Sequence, residues 1–191
     1  MKQSLGAKIM AGAVPVWVIG TYDKKGRPNM ATAAWVGVCC SDPPCVGVSF
    51  RKATFSHGCI MDRKAFTVSV PSIKHLKETD YAGIASGRDG DKWQATGLTP
   101  VKSELVHAPY VSEFQLILEC RLIHTLELGL HTHFIGEIMD VKAEGDILEE
   151  KGNVDVLKLA PFFYVTGKRT YHGIGPHLGK AHSIGAELRN K

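Results

Sequence analysis

Two long segments with the composition of β-strands, residues 114–128 and 131–143, constrain the fold of this chain more than any other feature. Strands of this length are typical of β-barrels, whose tilted strands cross the whole body of the domain. Shorter strands are predicted at 14–21, 29–40, 45–51, 65–70, 101–107 and 162–166. Short helices are predicted at 54–62, 72–86 and 154–159. Because strands outnumber helices and no βαβα alternation is present, the sequence indicates a mainly β (α+β) fold and disfavours a Rossmann architecture.

Glycine and proline mark the breaks between these elements. Residues 23–28 are predicted to form a hairpin turn, and residues 41–44 are predicted to separate two strands, because the prolines at 43 and 44 cannot donate to a ladder. Ser72 is the predicted N-cap of the second helix. Four glycines between residues 83 and 97 indicate a loop or short helices there. No repeat or linker divides the chain, so residues 1–191 are expected to form a single domain.

Composition and charge narrow the class of protein. With 191 residues, 44% of them hydrophobic, the chain is long enough to bury one core. It has no apolar run approaching the ~18 residues of a membrane helix, and its N-terminus lacks the pattern of a cleaved signal, so we expect a cytoplasmic protein that does not enter a membrane. A net charge of +4 with scattered cations favours a small acidic ligand over nucleic acid, although residues 180–191 form a loose basic tail.

The five cysteines are odd in number and lack CxxC spacing, which argues against a disulfide framework or a structural zinc site. Most of them are therefore expected to be buried and to pack as small hydrophobic side chains. They are Cys39, Cys40, Cys45, Cys59 and Cys120.

Residues 28–56 carry most of the functional information. The run 30–40 is rich in small residues, which lets a large flat molecule lie against the backbone. The next strand ends in a turn that brings two cations and two hydroxyls, Arg51, Lys52, Thr54 and Ser56, to the start of a helix. Because unpaired N–H groups at a helix N-terminus bind anions, this turn predicts a phosphate site. An N-capped helix with solvated cations explains the same residues equally well.

The chain also resembles the flavin reductase-like, FMN-binding split-barrel family, and within it the flavoredoxin branch. The resemblance lies in the order and spacing of several pieces: SLGAKIM, VPVWVIGTYDKKGRPN, the Asn29 to Trp35 spacing, DPPCVGVS, RKATFSH, GDKW, His131 and FFYVTGKRTYHGIG. It implies an antiparallel split β-barrel of six or more strands with helical appendages. It also implies FMN bound non-covalently at the interface of a homodimer.

The resemblance further implies which residues bind FMN. Asn29 and Trp35 match positions at the flavin, and Lys92 and His131 match positions that are contributed in part by the second subunit. With the phosphate turn and the small-residue strand, the expected cofactor-binding set is Asn29, Met30, Ala31, Thr32, Trp35, Arg51, Lys52, Thr54, Ser56, Lys92, His131, Phe163 and Tyr164.

The residues alone leave other roles open. Trp35 is of a type that usually packs in a core, and Asn29 follows a proline where turn residues are common. Lys92 lies in a glycine-rich loop where a lysine is ordinarily solvated, and His131 is a lone histidine on a strand. Phe163 and Tyr164 either shield the flavin ring or fill the core.

A second interpretation is a metal centre. On a strand, His131, His133 and Glu137 point to the same side, and their HxHx3E spacing is similar to the first motif of cupins, which are also β-barrels. The glycine expected six residues before the first histidine is absent, since position 125 is threonine, and residues 176–182 only approximate the second cupin motif. A further possibility is that Cys45 and His131 meet near the flavin and bind or reduce a metal ion.

The function that these observations favour is redox chemistry through FMN, with a reduced nicotinamide, NAD(P)H, or a redox protein as electron donor. No side chain is an evident nucleophile or general base, so catalysis is expected to reside in the cofactor. Three classes remain: an NAD(P)H-dependent flavin reductase, a flavoprotein electron carrier and the metal-dependent cupin. The absence of a GxGxxG motif at a helix start slightly favours the carrier over the reductase.

Overall fold

The computed structural model describes residues 1–10 and 12–190, and most of its regular structure is β-strand. The first half of the chain forms β1 (Ala13–Pro15), β2 (Trp17–Tyr22), β3 (Pro28–Ala33), β4 (Val36–Ser41), β5 (Pro44–Arg51), α1 (Phe55–Arg63), β6 (Ala65–Val70), a 3₁₀ turn (Ile73–His75), α2 (Leu76–Ile84) and α3 (Lys92–Thr96). The second half forms β7 (Pro100–Lys102), β8 (Pro109–Val111), β9 (Leu116–Leu128), β10 (His131–Ala143), a 3₁₀ turn (Gly145–Ile147), α4 (Val156–Leu159), β11 (Phe162–Val165), β12 (Thr170–Gly173) and a last 3₁₀ segment (Ala186–Asn190).

Seven strands form one antiparallel sheet in the order β3-β2-β6-β9-β10-β5-β4. Only residues 34–35 separate the end of β3, at one edge of the sheet, from the start of β4, at the other edge. Because consecutive Cα atoms are about 3.8 Å apart, the sheet must curl until its two edges meet at this point. Among the described residues the two edges share no ladder. The predicted antiparallel split barrel with helical appendages is therefore confirmed.

Two small sheets complete the β-structure. One joins β1, β11 and β12, and the other joins β7 and β8. The first of them brings the C-terminal part of the chain to the edge of the barrel, where Tyr164 on β11 is paired with Val14 on β1. Among the described residues no helix has the length and apolar character required to cross a bilayer.

The hydrophobic core has two main parts. Inside the barrel, Ile19, Val48, Phe66 and Phe134 pack together and are fully or almost fully buried. A second cluster lies on the outer side of the sheet, beneath α2 and α3, and contains Val18, Met30, Ala82, Trp93, Leu98, Val111, Phe114 and Ile117. Adjacent residues such as Val18 and Ile19 belong to different clusters because successive side chains of a strand point to opposite faces of the sheet.

Several element boundaries differ from those predicted. The single strand predicted at 29–40 is two strands, because the chain passes from one sheet edge to the other at residues 34–35. The strand predicted at 101–107 is limited to β7 (Pro100–Lys102), since the chain turns back to form β8. The strand predicted at 162–166 is not the last one, because β12 follows and pairs with it. The glycine-rich segment 83–97 contains the short helix α3, and the second helix begins as a 3₁₀ turn.

Candidate functional site

A groove opens where the two edges of the barrel meet. Its outer part has a volume of about 200 Å³ and lies between the end of β3 and the end of β5. Trp35 stands at the junction, half-buried, and its carbonyl accepts a hydrogen bond of 2.9 Å from the Ser49 N–H. The other lining residues are Thr32, Ala33, Ala34, Ser49, Phe50, Arg51, Thr54, His131 and Tyr164.

The side chains of Arg51 and His131 lie together at one end of this outer part. They are directly opposite each other because β5 and β10 pair in antiparallel register. Burial, with the nearby Arg51 charge, lowers the pKa of His131 below its usual value. At neutral pH the groove therefore has a permanent cation in Arg51 and a largely neutral imidazole in His131, which can donate a hydrogen bond from only one ring nitrogen.

The predicted phosphate turn follows β5. The Thr54 hydroxyl and the Thr54 N–H both donate to the Arg51 carbonyl at 2.9 Å, which closes the turn. Thr54 is the N-cap of α1, yet its side chain makes no capping hydrogen bond, so the first N–H groups of the helix keep their capacity to donate. Buried Ser56 accepts a hydrogen bond of 2.9 Å from the Asn29 side-chain amide, which leaves the Ser56 hydroxyl proton free.

An inner pocket of about 360 Å³ continues from the outer part of the groove. The two share Thr32, Phe50 and Thr54, so they form one cavity of the size range typical of small-molecule sites. The inner pocket is lined by residues from β3, the phosphate turn, the start of α1, the end of α2 with the loop that follows it, and the start of α3, among them Ala31, Ser56, Arg88 and Lys92. None of the described residues that line these two parts is an aspartate or a glutamate, whereas Asp23, Asp89 and Asp91 line the adjoining pocket beyond Arg88, so the two parts themselves favour an anion.

Lys92 is the most unusual cation of the cavity, because it is 5% exposed although it comes from a glycine-rich segment. Its ammonium group donates to the carbonyls of Met30, at 2.9 Å, and Ala82, at 2.8 Å. An ammonium has three donors, so one remains for a ligand. Burial lowers the pKa of Lys92 to about 8. A bound anion would favour the protonated form of this group.

Several residues of the cavity were not predicted from the sequence, among them Phe55, Gly87 and Arg88. The Arg88 guanidinium lies over the Phe55 ring, 5.7 Å from its centre, and donates to the Ala53 carbonyl at 2.8 Å. Gly87 packs so closely that a Cβ atom there would lie 2.3 Å from Asn29 Oδ1 and 2.6 Å from Phe55 Cδ1. The only sequence signal for Gly87 and Arg88 is the cluster of glycines between residues 83 and 97, whereas Phe55 belongs to the RKATFSH segment.

Most of the predicted cofactor-binding residues meet in this cavity or at its wall. Asn29 acts through Ser56, and Met30 contributes only its carbonyl, because its side chain is buried in the second core cluster. The Thr32 hydroxyl donates to the Thr79 carbonyl and so ties the edge strand β3 to α2. β3 is an edge strand that pairs only with β2, which leaves backbone groups outside any ladder along its outer edge.

Two predicted residues lie elsewhere. Lys52 forms an ion pair of 2.7 Å with Glu127 and does not line the cavity. The hydrogen bond from Lys52 lowers the pKa of Glu127, which holds the carboxylate charged. Phe163 is also absent from the lining, because consecutive strand residues point to opposite sides and Tyr164 takes the side of the groove.

Lys92 and His131 both lie in the groove of their own chain, next to the phosphate turn. Both residues therefore line the cavity within one chain, and the expectation that they act across a subunit interface stays a prediction. The two residues are far apart in sequence, but strand pairing with β5 and the contact of α3 with β3 bring them together.

The alternative metal site is not formed. Among the described residues, no group of three or more histidine, cysteine, aspartate or glutamate side chains is arranged to hold a metal ion. His133 instead makes a 2.8 Å hydrogen bond with Ser49, and Glu137 forms a 2.6 Å ion pair with Arg121. Cys45 lies opposite Glu137, whereas His131 lies opposite Arg51. Since six residues of strand span roughly 20 Å, Cys45 and His131 do not meet.

Comparison with known proteins gives the family. The sequence model of the flavin reductase-like domain matches residues 10–174. The chain belongs to the flavin reductase-like family. Every residue assigned above to the cavity lies within the part that matches the flavin reductase-like domain.

Two solved flavoredoxin structures agree with this flavin reductase-like assignment. The chain is similar to the flavoredoxin of Desulfovibrio vulgaris (Miyazaki F), with 48% identity and a TM-score of 0.93 over 97% of this chain and 100% of that one. It is also similar to the flavoredoxin from Methanosarcina acetivorans, with 30% identity and a TM-score of 0.89 over 98% of both chains. An uncharacterised protein of Archaeoglobus fulgidus is 37% identical over 130 residues, which are 68% of this chain and 72% of that protein.

Proposed function

We propose that this protein binds FMN non-covalently in the groove and acts in redox chemistry. The observation that carries the proposal is a cavity of suitable size whose described lining contains arginine, lysine and hydroxyl groups but no carboxylate. The similarity to two flavoredoxins supports the same assignment. The predicted cupin activity receives no support, because its three ligands are engaged elsewhere or too far apart to act together.

The inner pocket suits the phosphate of FMN. The free donors there are the third proton of the Lys92 ammonium, the Ser56 hydroxyl and the first N–H groups of α1. Hydrogen bonds from charged or oriented donors to phosphate are among the strongest in proteins. Gly87 provides the close approach that a phosphate or its ester chain needs, because any side chain at this position would fill the space against Asn29 and Phe55.

The outer part of the groove suits the flavin ring. Trp35 and Tyr164 supply flat apolar surface, and the small side chains of Ala33 and Ala34 leave space for the ring at the end of β3. FMN, when bound, supplies the capacity to accept and release electrons. Arg51 is a fixed positive charge beside the ring, and such a charge favours the anionic reduced form of a flavin.

We also propose that the protein is a homodimer. Leu126 and Leu128 on β9 and Leu130 in the following turn are each more than half exposed. Leu128 lies opposite His131, so this apolar surface borders the groove. Burial of three leucines against a second copy would remove apolar area from water and cover one end of the groove.

The electron donor is either NAD(P)H or a redox protein. The outer part of the groove is shallow and open, so the edge of a bound ring remains accessible to a second molecule. The chain has no GxGxxG motif that opens a helix, so a nicotinamide has to stack on the flavin without a dinucleotide-binding fold. This favours the electron carrier slightly over the reductase.

The experiment that tests the proposal is a comparison of FMN with riboflavin by fluorescence quenching of the flavin. Loss of the phosphate removes at least two charge-assisted hydrogen bonds, so riboflavin is expected to bind more weakly by roughly two orders of magnitude. Equal affinities would refute the assignment of the inner pocket. A stoichiometric transition metal in active, flavin-free protein would refute the proposed function as a whole.

A further inference from the structure

A pair of cysteines faces across the hairpin formed by β4 and β5. Cys40 and Cys45 are direct partners in the antiparallel ladder, and the next pair along, Ser41 with Pro44, closes the turn. Residues directly opposite each other in an antiparallel pair have Cα atoms about 4.5–5.5 Å apart. This spacing falls within the range of about 4.4–6.8 Å found for the two halves of a disulfide.

The two sulfur atoms also lie along the same turn. Cys40 Sγ is 3.3 Å from the Asp42 carbonyl, and Cys45 Sγ is 3.3 Å from the adjacent Pro43 carbonyl. Both side chains therefore point to one side of the hairpin and toward its closed end. Because partners in an antiparallel ladder share a face of the sheet, nothing in the backbone separates the two sulfurs.

The two thiols differ in their access to solvent. Cys40 is exposed, whereas Cys45 is 3% exposed. Burial, together with the neighbouring Cys40, Cys39 and Glu137, raises the pKa of Cys45, so this thiol stays protonated at neutral pH. A soluble reagent therefore meets Cys40 first and reaches Cys45 only through it.

We propose that Cys40 and Cys45 form a reactive thiol pair that closes to an intramolecular disulfide when it meets a small-molecule disulfide. Cys40 is the attacking thiol, and Cys45 is the resolving thiol. The pair lies at the end of β5 opposite to Arg51, so it is separate from the groove.

The reaction is an ordinary thiol–disulfide exchange. The Cys40 thiolate attacks one sulfur of the small disulfide, whose S–S bond breaks and releases one thiolate. The product is a mixed disulfide on Cys40. Cys45 then loses its proton and attacks Cys40 Sγ, which displaces the second thiolate. The two protein thiols are oxidised to one disulfide, the reagent is reduced to two thiols, and these take up the two protons.

Cys39 provides a matched control within the same strand. It is exposed like Cys40, but the ladder has a register shift between Val38 and Cys40, and Cys39 has no partner in it. If exposure alone decided reactivity, Cys39 and Cys40 would react equally. The strand register instead places only Cys40 opposite Cys45. The remaining cysteines, Cys59 and Cys120, are buried.

The test is incubation of the folded, fully reduced protein with oxidised glutathione, followed by intact mass and thiol counting. Two of the five thiols are expected to disappear with the loss of two hydrogen atoms and no retained glutathione. Peptide mapping should find the bond between Cys40 and Cys45. A bond that includes Cys39, stable glutathione adducts on both exposed cysteines, or no loss of thiols would each overturn the proposal.

Three variants separate the roles. Cys45→Ser should stop at the mixed disulfide and retain one glutathione on Cys40. Cys40→Ser should form no intramolecular bond, and Cys39→Ser should behave as the unaltered protein. An internal disulfide in Cys40→Ser, or none in Cys39→Ser, would contradict the assignment. Because peptide mapping of the unaltered protein decides the connectivity by itself, misfolding of any variant does not leave the question open.

Discussion

Lys92 shows how a single residue links the fold to the site. Its ammonium group bridges the Met30 carbonyl on β3 and the Ala82 carbonyl on α2, so it fixes a helix against the edge of the barrel. The sequence suggested a solvated lysine as the ordinary alternative, because burial depends on two carbonyls that are distant in the chain. The resemblance to the family predicts Lys92 at the flavin, and in the structure Lys92 lines the inner pocket.

Replacement of Lys92 with methionine is expected to weaken FMN binding by roughly one to two orders of magnitude, since a charged hydrogen bond to phosphate is lost. Because burial lowers the pKa of Lys92 to about 8, the free protein loses this cation as the pH rises above that value. FMN affinity should therefore fall between pH 7 and pH 9 in the unaltered protein, and this dependence should be absent from Lys92→Met. Fluorescence titrations across the pH range measure both effects.

The exposed Lys77 on α2 is the control, and Lys77→Met should retain both the affinity and its pH dependence. The stability of the free protein gives an independent check. The pKa of Lys92 falls from 10.5 to about 8 on folding, so the unfolded chain binds more protons between these values. The free energy of unfolding should then rise with pH through this window by a contribution that Lys92→Met lacks. If the difference in the free energy of unfolding between the unaltered protein and Lys92→Met did not change with pH, the assigned pKa would be wrong.

Gly87 gives a second prediction at the level of one residue. A Cβ atom at this position would lie 2.3 Å from Asn29 Oδ1 and 2.6 Å from Phe55 Cδ1, so Gly87→Ala must displace one of these side chains. FMN affinity is expected to fall by at least tenfold, because Asn29 orients Ser56 and Phe55 supports Arg88. At Gly90, in the same loop, a Cβ atom would meet nothing within 4 Å, so Gly90→Ala should bind FMN normally. Titration of both variants with FMN measures the two affinities.

At the level of elements, the sequence predicted the strands and helices that depend on the local pattern of residues. The long strands β9 and β10, the helix after the phosphate turn and most strand positions were predicted, because each has its own composition and turn residues. The division of the predicted strand 29–40 at Trp35 was not predicted, since it follows from the curl of the whole sheet. The position of Lys52 was also missed, because its partner Glu127 lies on a strand that only the register of β10 brings near.

The packing of β8 on the barrel gives a prediction about stability. A Cβ atom on Gly20 in β2 would lie 1.8 Å from the carbonyl oxygen of Pro109 in β8, and this carbonyl also accepts the Thr67 hydroxyl. Gly20→Ala should therefore lower the free energy of unfolding by about 1–3 kcal/mol or more, as expected for overpacking. Gly37→Ala on the edge strand β4 meets nothing within 4 Å and should change stability by less than about 0.5 kcal/mol. Urea unfolding followed by circular dichroism measures both, and equal effects would contradict this packing.

For the whole molecule, the electron donor distinguishes a reductase from an electron carrier. If the protein is a reductase, NADH or NADPH should reduce the bound flavin within about a second, as enzymes with typical rate constants do. If it is a carrier, neither nucleotide reduces the flavin at this rate, but a reduced iron–sulfur protein or flavoprotein does. We expect the second result, because the chain has no dinucleotide-binding motif. Anaerobic stopped-flow absorption at the oxidised flavin band separates the two, and rapid, saturable bleaching by one nucleotide would refute the pure carrier.

The proposed homodimer gives the last prediction. Leu126 and Leu128 are 54% and 53% exposed, and they stand beside His133 and His131 across the β9–β10 ladder. The double replacement of both leucines with lysine should abolish dimerisation, because it places charges where apolar surface is to be buried. If the second copy covers one end of the groove, the loss of dimerisation should also lower the retention of FMN by mass action. Leu157→Lys on α4 alters a similarly exposed leucine outside the β9–β10 ladder and should change neither property. Sedimentation at micromolar concentration, recorded at the flavin band, measures assembly and retention together, and a monomer that keeps its full flavin would show that each chain holds FMN alone.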